Sequence, residues 1–320
     1  KKKIYSFAKQ IFNYPRSITG NGVRKTLNSI KEIVPNLKIH EVPTGTKAFD
    51  WKVPKEWSIT DAYIVTPSGK KICQFKKNNL HIVSYSHPFN GKLSKKELDK
   101  HLFSLPNQPN AIPYVTSYYT KRWGFCLSHN QRKKLKNGIY HAVIKSKLFN
   151  GNLTYGELII KGKSKKEIFL STYICHPSMA NNEVSGPSVL TFLSKWIQNF
   201  KNKNYSYRII FVPETIGSIV YISKNFQKLK KNVVAGFVLS CVGDNRNYSY
   251  LPSRNGFTLS DKISKHILKW KVKKFNVYSW LERGSDERQY CAPGVDLPVC
   301  SIMRTKHGSY PEYHTSLDKL

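Results

Sequence analysis

Apolar residues recur at helical spacing from the start of the chain. Ile4, Phe7, Ala8, Ile11 and Phe12 share one face before Tyr14-Pro15 breaks the pattern. Val23, Leu27, Ile30, Ile33 and Val34 form a second helical face that stops at Pro35-Asn36, and residues 39–42 read as a strand. From Pro43 to about Gly151 the texture changes to short β-like runs separated by Pro, Gly and Asn, with dense aromatics and one helical piece over residues 94–103. From Tyr155 the alternation becomes regular. Strands are predicted over residues 167–175, 205–212, 233–241 and 297–303, and helices over 187–200, from 218 to about 229, and 259–270. Strands alternating with helices of this length imply βαβ units and a mostly parallel, mixed sheet flanked by helices. The organisation expected is an α/β domain from residues 1–44 and 151–320, with a small β-rich domain, residues 45–150, inserted into it.

The polar residues of the second half are placed unevenly. The chain has only 19 acidic residues, yet Glu183, Glu214, Asp244, Asp286 and Glu287 all fall in or beside loops at predicted strand or helix boundaries. Two histidines stand in similar loops. His176 follows the apolar run over residues 168–175, where Pro177 forces the chain out of the sheet, and His314 lies in the last loop. In open α/β sheets, ligands bind beyond the carboxyl ends of the strands. Two histidines and carboxylates converging from several strand ends is how a zinc site is assembled from distant sequence, and a glutamate beside such a metal is a natural general base. The competing reading makes these acids helix caps and surface charges, which suits Asp286 before a helical turn.

Composition narrows the partners. Net charge is +34 with a sequence pI near 9.9. Lysine outnumbers arginine roughly four to one and is spread along the whole chain, and no zinc finger, RNA-recognition signature or basic zipper is present. Nucleic acid is therefore not the expected partner, while a polyanionic one stays open. No stretch approaches the length of a membrane span. The six cysteines are scattered without a C-x-x-C pair, as buried free thiols are, and a cytoplasmic setting is expected. The absence of an initiator Met suggests a trimmed start, and the abrupt end after His314 suggests a further C-terminal segment. In the aromatic segment over residues 114–128, Arg122 and Trp123 are the candidates to line a pocket.

Four motifs then give a resemblance: the strand ending Cys175-His176, the loop Asn181-Asn182-Glu183-Val184-Ser185-Gly186, the run Glu214-Thr215-Ile216-Gly217-Ser218, and Tyr313-His314-Thr315. In that order they resemble the co-catalytic zinc aminopeptidases. The run Arg283-Gly284-Ser285-Asp286-Glu287 resembles that family's Ser-Asp-His loop. The whole chain is similar to a bacterial aminopeptidase-like subgroup linked to surface-polysaccharide loci. The resemblance implies a zinc-exopeptidase-like fold and a hydrolase acting on a peptide or an amide-bearing small molecule. It also exposes departures. Asn181 stands where the family has a bridging aspartate, Thr215 replaces the second glutamate of a pair, and Ser240-Cys241 falls where a ligand aspartate is expected. The set that remains implies one zinc ion, held by His176 and His314 with Glu183 or Asp244 supplying charge, and Glu214 as general base. If Glu214 ligates instead, Glu287 is the next candidate base. Asn181, Asp286, Glu287 and Arg288 are expected to orient the substrate. The alternative is a catalytically inactive, metal-free binding or scaffold protein of surface-polysaccharide biosynthesis on the same fold.

Overall fold

The computed structural model describes residues 1–272 and 274–320. Its centre is an eight-stranded sheet. In chain order the strands are β1 (Lys38–Pro43), β2 (Asn152–Ile160), β3 (Glu167–Tyr173), β4 (Ser206–Val212), β5 (Val233–Val238), β6 (Ser249–Leu251), β7 (Asn276–Val277) and β8 (Val299–Met303). They lie side by side as β1-β2-β4-β3-β5-β8-β6-β7. The four central strands β4, β3, β5 and β8 are parallel. Antiparallel pairs (β1 with β2, β2 with β4, β6 with β8) flank them, so the sheet is mixed, as expected.

Six helices matter for the site: α1 (Lys2–Phe12), α2 (Asn21–Ile33), α3 (Ser185–Gln198), α4 (Ile216–Asn232), α5 (Leu259–Lys271) and the short α6 (Glu287–Tyr290). The period of two along the strands divides the core. Leu170 and Ile174, with Ile209 and Phe211, face α1, α2 and α3 through Phe7, Ile11, Leu27, Ile30 and Leu190. Phe169 and Tyr173, with Ile210 and Val212, face α4 through Ile219, Val220 and Tyr221. A near-continuous buried run is what a strand covered on both faces requires. Among the described residues no helix is long and apolar enough to cross a membrane.

Residues 56–149 build a second, four-stranded antiparallel sheet, in which Glu56–Val65 and Ile139–Phe149 are the central pair. Its buried Ala62, Ile64, Tyr140 and Ile144 belong to the same apolar cluster as Phe169 and Tyr173. The interior of this β-rich part is thus continuous with one face of the main sheet. The helix expected over residues 94–103 is shorter. It spans Lys95–Asp99, started by a Ser94/Glu97 capping box, and the chain then extends so that Leu102–Phe103 pairs with Phe125–Cys126. Trp123 does not line the cavity at the strand ends described below. Its ring is stacked between His101 (centroids 3.7 Å apart) and Phe89 (4.0 Å). Arg122 donates to the Thr116 carbonyl and lies over the Phe103 ring, so both residues belong to the packing of the β-rich part.

Candidate metal centre

The segments leaving the carboxyl ends of β3 and β4 open on one cavity of about 310 Å³. Three residues beyond Tyr173 of β3, His176 enters it; two residues beyond Val212 of β4, Glu214 does; His314 arrives from the loop after β8. Cys175 lines the same space. A nitrogen of His176, Cys175 Sγ and a Glu214 oxygen all lie within 4.8 Å of one another. The ring centroids of His176 and His314 are 5.2 Å apart, and His314 Nε2 is buried without a protein partner.

Each of these groups is fixed from behind. His176 Nε2 faces Glu214 Oε2 at 3.5 Å, while its Nδ1 lies 3.2 Å from Glu183 Oε2. Glu183 is fully buried in a turn of π-helix over Ala180–Val184, and its other oxygen is 3.1 Å from Arg16 Nε. Arg16 itself is buried and donates through Nε to the His176 carbonyl at 2.8 Å. The second Glu214 oxygen accepts from Ser285 Oγ at 2.7 Å, and the Glu214 backbone N–H points at Cys175 Sγ. Thr215 is held at φ +65°, a left-handed conformation rare for a β-branched residue, with its N–H bonded to Asp286 Oδ1 at 2.8 Å. His314 also has positive φ, at +56°. Strained backbone persists only where the surroundings over-determine it, and it gathers at functional sites.

Electrostatics favour a cation here. Burial, reinforced by the Arg16 charge, pushes His176 down to about 3, and burial with the His176 and His307 neighbours does the same for His314. Both imidazoles are therefore neutral at pH 7 and can ligate, and the contact with Glu183 is not a charge pair. Burial raises Glu183 to about 8 against the pull of Arg16. Burial, then the neighbouring Asp286, lifts Glu214 well above the ordinary carboxylate range. Acids forced toward protonation beside neutral imidazoles are short of positive charge, and low dielectric makes that shortage expensive. Imidazole, carboxylate and thiol donors in this arrangement fit one borderline-soft divalent ion such as zinc.

The other residues singled out in the sequence are not brought to the cavity. Asn181 accepts from the Gly243 and Asp244 backbone N–H groups and donates to Asp244 Oδ2, so these two residues clasp each other beside a separate groove. Asn182 is the asparagine turned inward, its amide bonded to the Tyr173 hydroxyl and its Oδ1 buried without a partner. Asp286 accepts from Thr215 and Ser218, and Glu287 accepts from the Gly284 and Ser285 N–H groups with His307 at 3.8 Å. Both carboxylates brace the loop that carries Ser285. Arg288 is exposed and does not line the cavity.

The structure also adds residues that sequence reasoning missed. Cys175 read as a buried thiol, although its place beside His176 at a strand end was a usable signal. Arg16, a lone arginine in a turn, gave none. Tyr114, Tyr118 and Tyr119 come from the aromatic segment that was noticed for Arg122 and Trp123.

Comparison with known proteins identifies the family and the fold. The sequence profile of a family described as a domain of unknown function, DUF4910, matches residues 5–320. A Clostridium acetobutylicum protein, provisionally named for polysaccharide biosynthesis with an aminopeptidase-like domain, is 46% identical over 318 residues, 99% of this chain and 72% of its own length. A crystal structure of a provisionally assigned peptidase from the same organism superposes with a TM-score of 0.96 at 45% identity, covering 99% of this chain and 74% of that one. A zinc aminopeptidase from Bacillus subtilis superposes with a TM-score of 0.67 at 15% identity, covering 99% and 88%, a likeness of fold alone. The chain thus belongs to the DUF4910 family and has the fold of the zinc aminopeptidases.

Proposed function

We propose that this chain is a metal-dependent hydrolase that cleaves an amide in a peptide or small molecule carrying a free amine. The observation that supports it best is the convergence of His176, His314, Cys175 and Glu214 on one cavity at the strand ends. One zinc ion is the cofactor in this reading, with the two histidines as ligands and Cys175 as an added donor. When bound, such an ion polarises a carbonyl and lowers the pKa of water. Glu214 takes the proton of the attacking water and returns it to the leaving amine, as the C–N bond breaks and a C–O bond forms. Ser285 holds one Glu214 oxygen so that the other faces the reacting atoms. Glu183, behind Nδ1 of His176, is assigned to orient that ring rather than to ligate.

The cavity lining speaks to the substrate. It contains one carboxylate and no lysine or arginine, in a chain of net charge +34. Such a lining suits a neutral or cationic group and disfavours phosphate. Trp51, Tyr118 and Tyr119 form an aromatic wall that takes an apolar side chain or a sugar ring. The name of the Clostridium relative makes an amide-bearing intermediate of surface-polysaccharide assembly the first substrate class to examine.

A second reading, a non-hydrolytic binding protein, is favoured by one observation: Thr215, in the place of a second glutamate, supplies no carboxylate to the cavity while its walls stay intact. Elemental analysis of protein prepared without chelator, followed by a panel of aminoacyl chromogenic amides, separates the two. Bound metal with hydrolysis abolished in Glu214→Gln supports the hydrolase. No bound zinc, manganese or iron after reconstitution overturns it.

A further inference from the structure

We propose that the end of the main sheet opposite the cavity is a docking surface for an anionic phospholipid bilayer. This goes beyond the hydrolase reading and stands whether or not the chain cleaves a substrate.

The strands β4, β3 and β5 start flush. Glu167, the first residue of β3, lies opposite Ser206 of β4 on one side and Val233 of β5 on the other, and β2 ends beside them where Ile160 pairs with Tyr207. Neighbouring strands are about 4.8 Å apart, so the segments entering them form a flat end to the sheet. Those segments are residues 161–166, 195–205 and 224–232, which carry four, three and four lysines and no aspartate, glutamate or arginine. Eleven cations in these 26 residues compare with 53 in 320 for the whole chain. The segments also touch. The Lys163 and Ser164 N–H groups donate to the Lys203 and Asn204 carbonyls at 2.8 and 2.9 Å, and Lys166 Nζ donates to the Lys231 carbonyl at 3.1 Å. Nearby acids are already paired: Glu157 and Glu167 with Arg208, and Asp296 with Arg254.

Helix dipoles account for part of this cluster. Cations favour helix C-termini, and Lys203 reaches back to the Gln198 and Phe200 carbonyls at the end of α3. They do not account for residues 161–166, which join two strands and hold four exposed lysines. Like charges gathered this way repel one another, and an anionic partner relieves that repulsion.

Two features favour a bilayer over nucleic acid. The charges are lysines alone, compact point charges that suit a diffuse surface potential, whereas bases and phosphates are read by arginine forks. Aromatic rings also stand at the rim. Trp196, in the last turn of α3, is 60% exposed and meets Phe200 edge-on with centroids 4.4 Å apart, and Tyr205, just before β4, is 41% exposed. Rings of this kind beside lysines rest at headgroup level without crossing the membrane. Since β3 has seven residues, docking leaves the cavity on the order of 20 Å from the lipid, facing water.

The test is co-sedimentation of the full chain with vesicles. Binding is expected to phosphatidylcholine vesicles that contain phosphatidylglycerol, weakening as salt is added, and not to phosphatidylcholine alone. Lys161→Gln, Lys163→Gln and Lys165→Gln combined should weaken it on the order of 100-fold, each lysine contributing about fivefold. Lys70→Gln, Lys71→Gln and Lys77→Gln combined, in the β-rich part, remove the same net charge and should weaken it less than about threefold. All six lysines are exposed, so both variants keep the fold. Brominated phosphatidylglycerol should quench the tryptophan fluorescence of the wild type, and Trp196→Phe should lose that quenching. Equal losses in the two triple variants, equal binding to both vesicle types, or quenching that survives in Trp196→Phe each overturns the proposal. Tighter binding of a mixed-sequence single-stranded RNA at matched phosphate concentration overturns it too, and assigns the face to nucleic acid.

Discussion

The backbone N–H of Tyr114 is bonded to the carbonyl oxygen of His314 at 2.8 Å, across 200 positions of sequence. It is one stitch in a seam. Ile112 donates its N–H to Ser316 Oγ and accepts from the Ser316 N–H, Pro113 bridges to Thr315, and the Gln108 side chain reaches the Pro311 carbonyl. The loop that presents His314 is therefore shaped by the β-rich part as much as by β8. Ser316→Ala removes one acceptor from this seam. It should cost about 1 kcal/mol of stability and weaken zinc binding, measured by calorimetry and by competition with a chelating dye.

Arg16 and Glu183 form a buried pair whose side chains are both inaccessible to solvent. Arg16→Met removes the cation beside Glu183 and should destabilise the protein by about 3–5 kcal/mol in urea unfolding at pH 9, where Glu183 is ionised, and by less at pH 6, where it keeps its proton. Adding Glu183→Leu should recover most of that stability without restoring metal affinity, because His176 Nδ1 then has no carboxylate behind it. Recovery of both would show that the pair serves packing only.

How much of this was legible beforehand follows from what each residue type reveals locally. His176, Glu214 and His314 stood out because strands were recognisable from their apolar runs, and strand ends fix where the next two or three residues go. Asn181 was matched to the bridging aspartate in sequence, yet its side chain turns to Gly243 and Asp244, while Asn182 turns to Tyr173. Which one faces inward depends on the π-helical turn over Ala180–Val184 and on the Asp318 carboxylate, which accepts the N–H groups of both residues. Asp244, Asp286 and Glu287 do fall in or beside loops, but their side chains bond to backbone N–H groups, a choice made by loop packing. The short strands β6 and β7, at one end of the sheet, carried too few residues for a period to show. Arg16 joined the site only through tertiary folding.

Gly186, at the start of α3, stands against β3 and the chain leaving β5. A Cβ there would meet Thr172 Oγ1 at 2.4 Å and the Leu239 carbonyl oxygen at 2.5 Å. Gly186→Ala should cost about 1–3 kcal/mol and displace the turn that carries Glu183. A thermal midpoint equal to that of wild type would show that α3 can shift freely.

The metal-free protein should lose stability as pH rises from about 6.5 to 8. Burial holds Asp286 at about 7 and Glu183 at about 8, above their unfolded values, so the stability from their bound protons disappears as pH climbs through those values. His176 and His314, both held near 3, act oppositely. Their contribution is complete above the unfolded histidine value of 6.5 and is lost on acidification toward 3. Melting curves with chelator across pH 5–8.5 should therefore fall on the alkaline side, and zinc should remove that fall. A flat profile with chelator would contradict the placement of the buried acids.

The seam between residues 108–114 and 311–316 also sets when the centre can exist during synthesis. The sheet can pair β2, β3, β4 and β5 once some 240 residues have emerged, yet His314 and its clasp come more than 70 residues later. Contacts this distant along the chain are the last to repay their loop-closure entropy. A ribosome-bound intermediate would thus hold His176 and Glu214 without His314, and an incomplete chain would lack the finished centre.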